Sequence, residues 1–241
     1  MTFYAQITSP LGPILLSSNG ACLDGLYFVG QSDCPSPAGA VPVKPGKADP
    51  TAGMRAGVAI KNLKAYKNPP AAPTLFDEQD LRPTGLAGCD DGACAIKPAP
   101  ADRAGLAHQA CGPVALKQAG TPGSAVALFE QTRRELDEYF LGRRKVFTVP
   151  LQLDGTEFQV KVWQALLTIP YGEYVSYGDV AQAAGLKPQH GRPVGTAVGR
   201  NPITIIVPCH RVLAGTGRLN GYTGGLERKF ALLELEGFTL G

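Results

Sequence analysis

The chain has 241 residues, of which 44% are hydrophobic and 18% charged, and its formal net charge is +3. This length and composition suggest one large or two small domains with a packed core, and the charge is too small to name a partner. No apolar run approaches the roughly 18–20 residues that span a bilayer, and the first residues lack the layout of a signal peptide, so we disfavour membrane and secreted proteins and expect a cytoplasmic protein with reduced thiols.

Three short strands are predicted at the N-terminus, over residues 3–8, 12–17 and 22–29. Breaks at residues 9–12 and 18–20 separate them, and the second break contains Asn19-Gly20. An Asn-Gly pair between two short apolar runs is typical of a tight hairpin turn. The sequence therefore predicts that the second and third strands form a hairpin.

Residues 31–123 differ in composition from the rest of the chain. Thirteen of the 21 prolines lie there, and periodic apolar positions are sparse. Such a stretch cannot bury enough apolar surface to offset the entropy lost on ordering it. We therefore expect a long, mostly irregular, low-complexity insertion between two well-patterned parts.

A helix is predicted after the insertion, with Ser124 as its N-cap and Gly142 at its end. Four apolar side chains recur at helical spacing in it: Ala125, Phe129, Leu136 and Phe140. Residues 146–151 are predicted to form a strand. The N-terminal strands, this helix and this strand make a small α/β unit over residues 1–150.

Four helices are predicted in the C-terminal part, which we assign to residues 155–241. The first begins at Thr156 and the last covers residues 225–236. Between them, Ser176 is the expected N-cap of a short helix that ends at Gly185, and a second short helix covers residues 192–200. Two short helices joined by a tight turn are the helix-turn-helix pattern, although two ordinary packed helices fit the pattern equally well.

Positive charge is concentrated in the same region. No Asp or Glu occurs from residue 180 to residue 226, whereas basic side chains do: Lys187, Arg192, Arg200, Arg211 and Arg218. An acid-free basic segment over a helix-turn-helix pattern is typical of a surface that binds the phosphate backbone of a nucleic acid. A solvated basic face without a partner is the alternative.

Cys209 and His210 are the residues most indicative of chemistry, and they follow the apolar run 205–207. The thiolate is the reactive form of cysteine, and a free thiol with a pKa of about 8.5 needs a base or positive surroundings to reach it. His210 and Arg211 would supply such surroundings, and Glu236, at the end of the last helix, is a candidate to orient the histidine. A structural Cys-His pair is the alternative, since adjacent side chains on an extended strand point to opposite faces.

The sequence Pro208-Cys209-His210-Arg211 closely resembles the active-site sequence of the O6-alkylguanine-DNA alkyltransferases, also called methylated-DNA–protein-cysteine methyltransferases. Further blocks resemble that family in the same order: residues 158–163, 169–173, 176–178, 192–195, 201–202 and 220–225. The resemblance is strong over residues 124–237 and looser over residues 1–30. Several blocks in the same order make the resemblance highly specific.

The resemblance implies a fold and an activity. Residues 1–150 would be a small ribonuclease-H-like α/β domain interrupted by the insertion 31–123, and residues 155–241 a winged-helix-like helix-turn-helix DNA-binding domain that carries the reactive cysteine. The protein would be a cytoplasmic monomer that binds the minor groove of double-stranded DNA and flips O6-alkylguanine out of the duplex. It would transfer the alkyl group to its own cysteine in a single suicide turnover, with no cofactor and no metal. The sequence leaves open whether O4-alkylthymine is also a substrate.

The family's reactive residues carry over onto matching positions of this chain. Cys209 would be the nucleophile, His210 its base through a water, and Glu236 the residue that orients His210. Asn201 would brace the turn before the cysteine, and Tyr177 would protonate the departing guanine.

The contacts with DNA follow from the same resemblance. Arg192 would fill the gap left by the flipped nucleotide, and the small residues after it would let their helix lie close to the minor groove. The expected DNA-binding residues are Arg192, Ser176, Gly195, Thr196, Ala197 and Arg200. The expected lining of the base pocket is Val207, Pro208, Tyr222 and Thr223.

The insertion departs from the family, in which a far shorter segment usually joins the two parts. It contains the residue types of a zinc site, namely Cys89, Cys94, His108 and Cys111. Their spacing fits no standard zinc pattern, so we expect free thiols. The alternative function is a non-catalytic protein that binds alkylated DNA and recruits other repair factors. Relatives of that kind replace the cysteine, whereas Cys209 is present here.

Overall fold

The three predicted N-terminal strands are confirmed. The computed structural model describes residues 1–36, 60–61, 110–215 and 222–240. The strands are β1 (Phe3–Ser9), β2 (Gly12–Ser18) and β3 (Leu23–Phe28). They form an antiparallel meander in which Ile7 pairs with Ile14 and Leu16 with Leu26. All four of these side chains are buried in the core.

Two short strands lie inside the predicted insertion. β4 (Ile60–Lys61) pairs antiparallel with β8 (Thr239–Leu240), and β5 (Ala115–Leu116) pairs antiparallel with β1, which gives a sheet of order β3-β2-β1-β5. Cys111, close to β5 in the chain, is buried. The predicted end of the insertion at residue 123 is therefore wrong, because β5 already belongs to this sheet and Cys111 to the core. A two-residue strand is too short to show an alternating pattern in the sequence.

Helix α1 (Gly123–Phe140) confirms the predicted helix but not its N-cap. The N-cap is Pro122, and the first helical hydrogen bond runs from the Val126 N–H to the Pro122 carbonyl at 3.1 Å. Ser124 lies inside the first turn, so the prediction that it caps the helix is wrong. Gly142 follows the end of the helix with φ of +69°, the left-handed conformation that glycine adopts readily.

The predicted strand over residues 146–151 is wrong. Only Leu151 bridges to the sheet, opposite Leu23. The Thr148 N–H donates instead to the carboxylate of Glu135 at 2.7 Å, and Pro150 has no N–H to donate. A continuous ladder therefore cannot form, and the segment crosses the end of α1 as an extended loop.

The C-terminal part contains the four predicted helices, each within a few residues of its expected position. Its elements are α2 (Glu157–Leu167), β6 (Val175–Ser176), α3 (Tyr177–Ala183), α4 (Gly191–Gly199), β7 (Val212–Leu213), α5 (Leu226–Leu235) and β8. Helix α2 begins with a capping box between Thr156 and Gln159. β6 and β7 pair in parallel. The architecture as a whole is mixed α/β.

Helices α3 and α4 form the expected pair joined by a tight turn. The Ser176 side chain accepts the Asp179 N–H and the Asp179 carboxylate accepts the Ser176 N–H, so α3 begins with a capping box. Gly185 follows α3 with φ of +72°. The indole N–H of Trp163, in α2, donates to the carbonyl of Ala197, in α4, at 2.9 Å. This buried bond fixes α4 against α2.

The two parts of the chain share one hydrophobic core. Main-chain hydrogen bonds also join them, because the Leu26 N–H donates to the Pro202 carbonyl at 2.8 Å and the Thr204 N–H donates to the Leu26 carbonyl at 3.0 Å. Strand β3 therefore supports the loop that leads from α4 to Cys209. Within the described ranges, no helix is both long and apolar enough to cross a membrane.

Candidate active site

Cys209 lies in a single 3-10 turn, Cys209–Arg211, so the geometry of an extended strand, which would point the side chains of Cys209 and His210 to opposite faces, does not apply. The N–H of Arg211 bonds back to the Pro208 carbonyl at 3.0 Å, which closes this turn. The thiol is buried, and the Nδ2–H of Asn201 donates to its sulfur at 3.0 Å. Burial raises the pKa of the Cys209 thiol, while the hydrogen bond from Asn201 and the charge of Lys229 oppose that rise. The thiol therefore depends on its neighbours to lose its proton.

The loop before Cys209 is strained and is held by Asn201. Ile205 is buried and has φ of +72°, a conformation rarely tolerated by a β-branched residue. The Ile206 N–H bonds to the Thr204 carbonyl at 2.9 Å across it, which makes a γ-turn. Asn201 donates to the Val207 carbonyl at 2.8 Å and accepts the Ile203 N–H at 3.0 Å, so its amide spans the strained turn.

His210 has the protonation state that a base requires. Its Nε2 lies 2.9 Å from Oε1 of Glu236. Because Glu236 is ionised, Nε2 carries the proton and donates it, which leaves a lone pair on Nδ1. That Nδ1 is buried and has no hydrogen-bond partner among the described residues. Burial lowers the pKa of His210, the charge and hydrogen bond of Glu236 raise it, and the positive charges of Arg211 and Lys229 lower it again, with a net lowering. Because the ordinary pKa of a histidine is about 6.5, a lowered pKa leaves the imidazole neutral at pH 7.

Glu236 accepts five hydrogen bonds. Oε1 accepts from the Tyr139 hydroxyl at 2.8 Å, from His210 at 2.9 Å and from Nη2 of Arg211 at 2.9 Å. Oε2 accepts from Nε of Arg211 at 2.8 Å and from the Gly172 N–H at 3.2 Å. Burial alone would raise the pKa of Glu236. The charge of His210 at the acid pH where the imidazole is protonated, the hydrogen bonds of His210 and Arg211, and the charge of Arg211 outweigh burial and lower the pKa to about 2.

Arg211 therefore does not belong to the exposed basic surface. It is 6% exposed, it pairs with Glu236, and it also donates to the Ile169 carbonyl at 2.5 Å. The expectation that Arg211 adds to a phosphate-binding segment is wrong, because its guanidinium is buried and pairs with the carboxylate of Glu236. Arg218 lies outside the described residues.

A second buried cation lies close to the thiol. Lys229, in α5, is 1% exposed and its Nζ donates to the Val212 carbonyl at 2.7 Å. Burial lowers the pKa of Lys229 to about 8, partly offset by the negative charge of an ionised Cys209. An ammonium in this place favours the thiolate over the thiol.

Two tyrosines approach the thiol from separate elements. Burial raises the pKa of Tyr177 and of Tyr222, and the negative charge of an ionised Cys209 raises both further. Both phenols therefore remain protonated near the sulfur. The hydroxyl of Tyr222 is buried beside the thiol, and its interaction with Cys209 raises the pKa of Tyr222 and lowers that of Cys209. The Thr223 hydroxyl donates to the Gly199 carbonyl, which ties this loop to the end of α4. Val207 and Pro208, the other expected pocket residues, are buried directly before the thiol.

Helix α4 presents a basic face to solvent. Arg192, Thr196 and Arg200 are exposed on it, as a DNA-binding helix requires. Ala197 is only 2% exposed and packs inward, so the expectation that it contacts DNA is wrong. Gly195 faces Tyr177, where an added Cβ would lie 3.6 Å from the ring. That distance is an ordinary van der Waals contact, so the packing between α3 and α4 does not itself require a glycine at this position.

Of the four residues of the suggested zinc site, only Cys111 lies in the described part of the chain. Cys89, Cys94 and His108 lie outside the described residues. Cys111 is described: it is buried, and its N–H donates to Asp137. Burial raises the pKa of its thiol. Over the described part of the chain, no three His, Cys, Asp or Glu side chains cluster as metal ligands do.

Residues 157–238 match the family described as 6-O-methylguanine DNA methyltransferase, DNA binding domain. The chain is 57% identical over 108 residues to a methylated-DNA–protein-cysteine methyltransferase of Mycobacterium leprae, which is 45% of this chain and 65% of that protein. It is 52% identical over 109 residues to one of Methanosarcina acetivorans, which is 45% of this chain and 69% of that protein. The alignment thus spans just under two thirds of the Mycobacterium leprae protein.

Solved structures extend the similarity to nearly the whole chain. The O6-methylguanine methyltransferase of Mycobacterium tuberculosis superposes with a TM-score of 0.58 and 33% identity, over 98% of this chain and 93% of that chain. The chain belongs to the methylated-DNA–protein-cysteine methyltransferase family. The Mycobacterium tuberculosis OGT in complex with DNA superposes with a TM-score of 0.56 and 32% identity, over 96% of this chain and 90% of that chain.

Sequence reasoning missed two buried residues in the site of this methyltransferase family member. Tyr139 lies on the same apolar helix face as Leu136 and Phe140. A buried tyrosine hydroxyl needs a hydrogen-bond partner, and this was the one signal in the sequence that could have indicated its contact with a polar group. Lys229 follows the apolar Leu226 in a helix that the sequence predicted, but nothing in the local pattern marks it as buried. Tyr139 bonds to Glu236 and Lys229 bonds to Val212, so each partner lies far away in the sequence and no local pattern shows the contact.

Proposed function

We propose that the chain repairs O6-alkylguanine in double-stranded DNA by transferring the alkyl group to Cys209. One observation carries this proposal: a buried thiol is held by Asn201 beside a neutral histidine whose Nε2–H is bound to Glu236 and whose Nδ1 is unpartnered among the described residues. That arrangement supplies a nucleophile, a base and a group that orients the base.

The proposed chemistry balances without a cofactor. Nδ1 of His210 accepts the thiol proton through a water, and the thiolate sulfur attacks the alkyl carbon. The bond between that carbon and O6 breaks, its electron pair stays on the guanine, and the hydroxyl of Tyr177 supplies the proton that the departing base requires. The product is a thioether on Cys209, which neither water nor a second thiol readily cleaves, so each molecule acts once.

DNA binding follows from the exposed face of α4. A base in a duplex hides O6 from a buried thiol, so the nucleotide must be flipped out at a cost of a few kcal/mol. Arg192, at the exposed start of α4, fills the gap, while Thr196 and Arg200 face the backbone of the minor groove. Ser176 lies at the start of α3, where its hydroxyl also caps the helix. Val207, Pro208, Tyr222 and Thr223 line the pocket for the flipped base.

Two domains are proposed on the same basis. Residues 1–150 form a ribonuclease-H-like domain, supported by the antiparallel sheet with α1 beside it. Residues 155–241 form a winged-helix-like DNA-binding domain, supported by the α3–α4 pair and the small parallel ladder of β6 and β7. We place the protein in the cytoplasm. A non-catalytic lesion-binding role is disfavoured, because the cysteine that such relatives replace is present.

The test is a repair assay with a duplex that contains one O6-methylguanine. After incubation, the chain is digested and the peptide that contains Cys209 is weighed. We expect that peptide to gain one methyl group and the DNA to lose its lesion. The matched variant Cys209→Ser should bind the duplex and leave the lesion intact. Methylation of Cys22 or Cys34 in place of Cys209, or repair by the variant, would overturn the assignment.

A further inference from the structure

Tyr139 connects the N-terminal part of the chain to the histidine–carboxylate pair. It lies in α1, its side chain is fully buried, and its hydroxyl donates to Oε1 of Glu236 at 2.8 Å, 97 residues away in the chain. Oε1 is the same oxygen that faces Nε2 of His210. No step of the proposed reaction uses Tyr139.

A carboxylate beside a histidine poses a chemical problem for a base. An ionised neighbour within hydrogen-bonding distance normally stabilises the charged imidazolium. An imidazolium has protons on both nitrogens and cannot accept one from a thiol. A histidine that must take the proton of Cys209 therefore needs a partner that orients it without charging it.

The groups around the pair reduce the charge that Glu236 presents to His210. Tyr139 from α1, Arg211 from the turn of Cys209, and the Gly172 N–H all donate to the carboxylate. Lys229 from α5 adds a positive charge that acts on His210, and Tyr171 packs its ring against that of Tyr139 at 6.1 Å between centroids. Each donor to Oε1 takes a share of the negative charge that would otherwise favour the imidazolium.

We propose that Tyr139 is a positioning residue for alkyl transfer, whose hydroxyl holds Glu236 and shares its charge so that His210 stays an uncharged base. This inference rests on the function proposed above. It assigns part of the reactive centre to the N-terminal part of the chain. Tyr139 touches neither the substrate nor the thiol and acts through Glu236 alone.

A purely structural role predicts a different outcome. The ring of Tyr139 packs on Phe140 and Phe147, with centroids 5.6 Å and 5.4 Å apart. Loss of packing would lower stability but would leave the titration of His210 where it is. Tyr139→Phe retains the ring and removes only the hydroxyl, so it separates the two roles.

The control is Tyr171→Phe. The Tyr171 hydroxyl donates to the Leu235 carbonyl at 2.9 Å, next to Glu236 in the chain but not to its carboxylate. Both variants lose one hydroxyl close to the end of α5. Only Tyr139→Phe loses a donor to Oε1.

Two pH profiles test the proposal in the full chain. The first is the NMR titration of His210, measured in a protein that also carries His108→Gln and His190→Gln so that His210 is its only histidine. The second is the single-turnover rate of methyl transfer measured as a function of pH. Tyr139→Phe should move the midpoint of the His210 titration to higher pH by on the order of one unit, as expected for one lost hydrogen bond to a charged group. The pH at which the transfer rate falls on the acid side should rise by the same amount. Tyr171→Phe should move neither.

The outcomes separate this proposal from the proposed function. An unchanged midpoint in Tyr139→Phe, or equal shifts in both variants, overturns the role of Tyr139 even if the wild-type chain transfers methyl groups normally. The NMR titration needs no DNA, so it decides the role of Tyr139 even if the wild-type chain transfers nothing, which would overturn the proposed function alone. The thermal midpoint of each variant, measured alongside, shows that both remain folded.

Discussion

The side-chain amide of Asn201 lies 3.0 Å from the sulfur of Cys209 and donates to it. The same amide donates to the Val207 carbonyl, two residues before the cysteine, at 2.8 Å. One side chain therefore stabilises the thiolate and also closes the turn that contains the strained Ile205. The nucleophile and the backbone that presents it depend on a single residue.

Asn201→Ala should weaken both functions of that amide. Loss of the donor to sulfur should raise the pKa of the Cys209 thiol, and the unpaired backbone groups should lower the free energy of unfolding by about 1–3 kcal/mol. Urea unfolding measures the second effect, and iodoacetamide alkylation of Cys209 against pH, followed by peptide mass, measures the first. Gln182→Ala, which removes an exposed side-chain amide on α3, is the control and should alter neither. An unchanged alkylation profile in Asn201→Ala would show that Asn201 does not act on the thiol.

Arg192→Ala should separate base flipping from chemistry. If Arg192 fills the gap in the stack, its loss should slow repair of duplex DNA by ~10–100-fold, corresponding to ~1–3 kcal/mol of lost stabilisation. The rate with free O6-benzylguanine should change much less, because a free base needs no flipping. Lys187→Ala is the control: it should weaken DNA binding equally at all sites and lower the salt slope by roughly one. Equal losses on both substrates would assign Arg192 to the fold or the thiol.

The pH dependence of the free energy of unfolding should reveal the ionisation of the Glu236 carboxyl. The pKa of this carboxyl falls from 4.5 to about 2 on folding, because the charge and hydrogen bonds of His210 and Arg211 outweigh burial. This stabilisation is fully present above pH 4.5 and is lost as the pH falls towards 2, which removes on the order of 3 kcal/mol from the free energy of unfolding.

Glu236→Gln should therefore be less stable at pH 7 and should lose most of its pH dependence below pH 4.5. Denaturant unfolding at a series of pH values measures both effects. Glu157→Gln removes an exposed carboxylate whose pKa Lys161 lowers only across solvent, and it should keep most of the wild-type dependence. The same slope in Glu236→Gln as in the wild type would contradict the assignment of this charge to the folded state.

Sequence patterns correctly predicted the helices, because N-caps and apolar spacing depend only on residues close together in the chain. Ser176 and Thr156 cap their helices because an N-cap needs only a side chain and an N–H three residues later. The four C-terminal helices followed from apolar spacing for the same reason. Residues 146–151 were predicted as a strand from composition alone, and their hydrogen bonds go to Glu135 and Leu23, which no local pattern shows.

The sequence predicted the reactive residues of the site but not the buried side chains that surround them. Cys209, His210 and Glu236 came from a motif and from family resemblance. The burial of Arg211 depends on a carboxylate 25 residues away, and the bond of Tyr139 spans 97 residues. Such contacts arise only when α1, α5 and the turn of Cys209 meet in one core, so the sequence alone assigned Arg211 to the wrong surface.

The insertion provides a prediction about the boundary of the N-terminal part. Deleting residues 37–109, with a flexible bridge of about ten glycine and serine residues, removes the two-residue ladder of β4 and β8 but keeps the sheet β3-β2-β1-β5. This deletion should preserve soluble protein and methyl transfer. Extending the deletion to residue 120 should destabilise the chain, because it removes β5 and the buried Cys111. Thermal unfolding and a repair assay on the two deletion variants measure this difference. Equal behaviour of the two deletions would show that β5 contributes nothing to the sheet.

The central claim is stoichiometric transfer to a single thiol, and the intact mass of the protein tests it most directly. The chain is incubated with a large excess of duplex that contains O6-methylguanine, and its mass is followed to completion. We expect a gain of one methyl group per chain, located on Cys209, and repair that stops when every chain carries it. Continued repair beyond one lesion per chain, or an unmodified protein after repair, would contradict it.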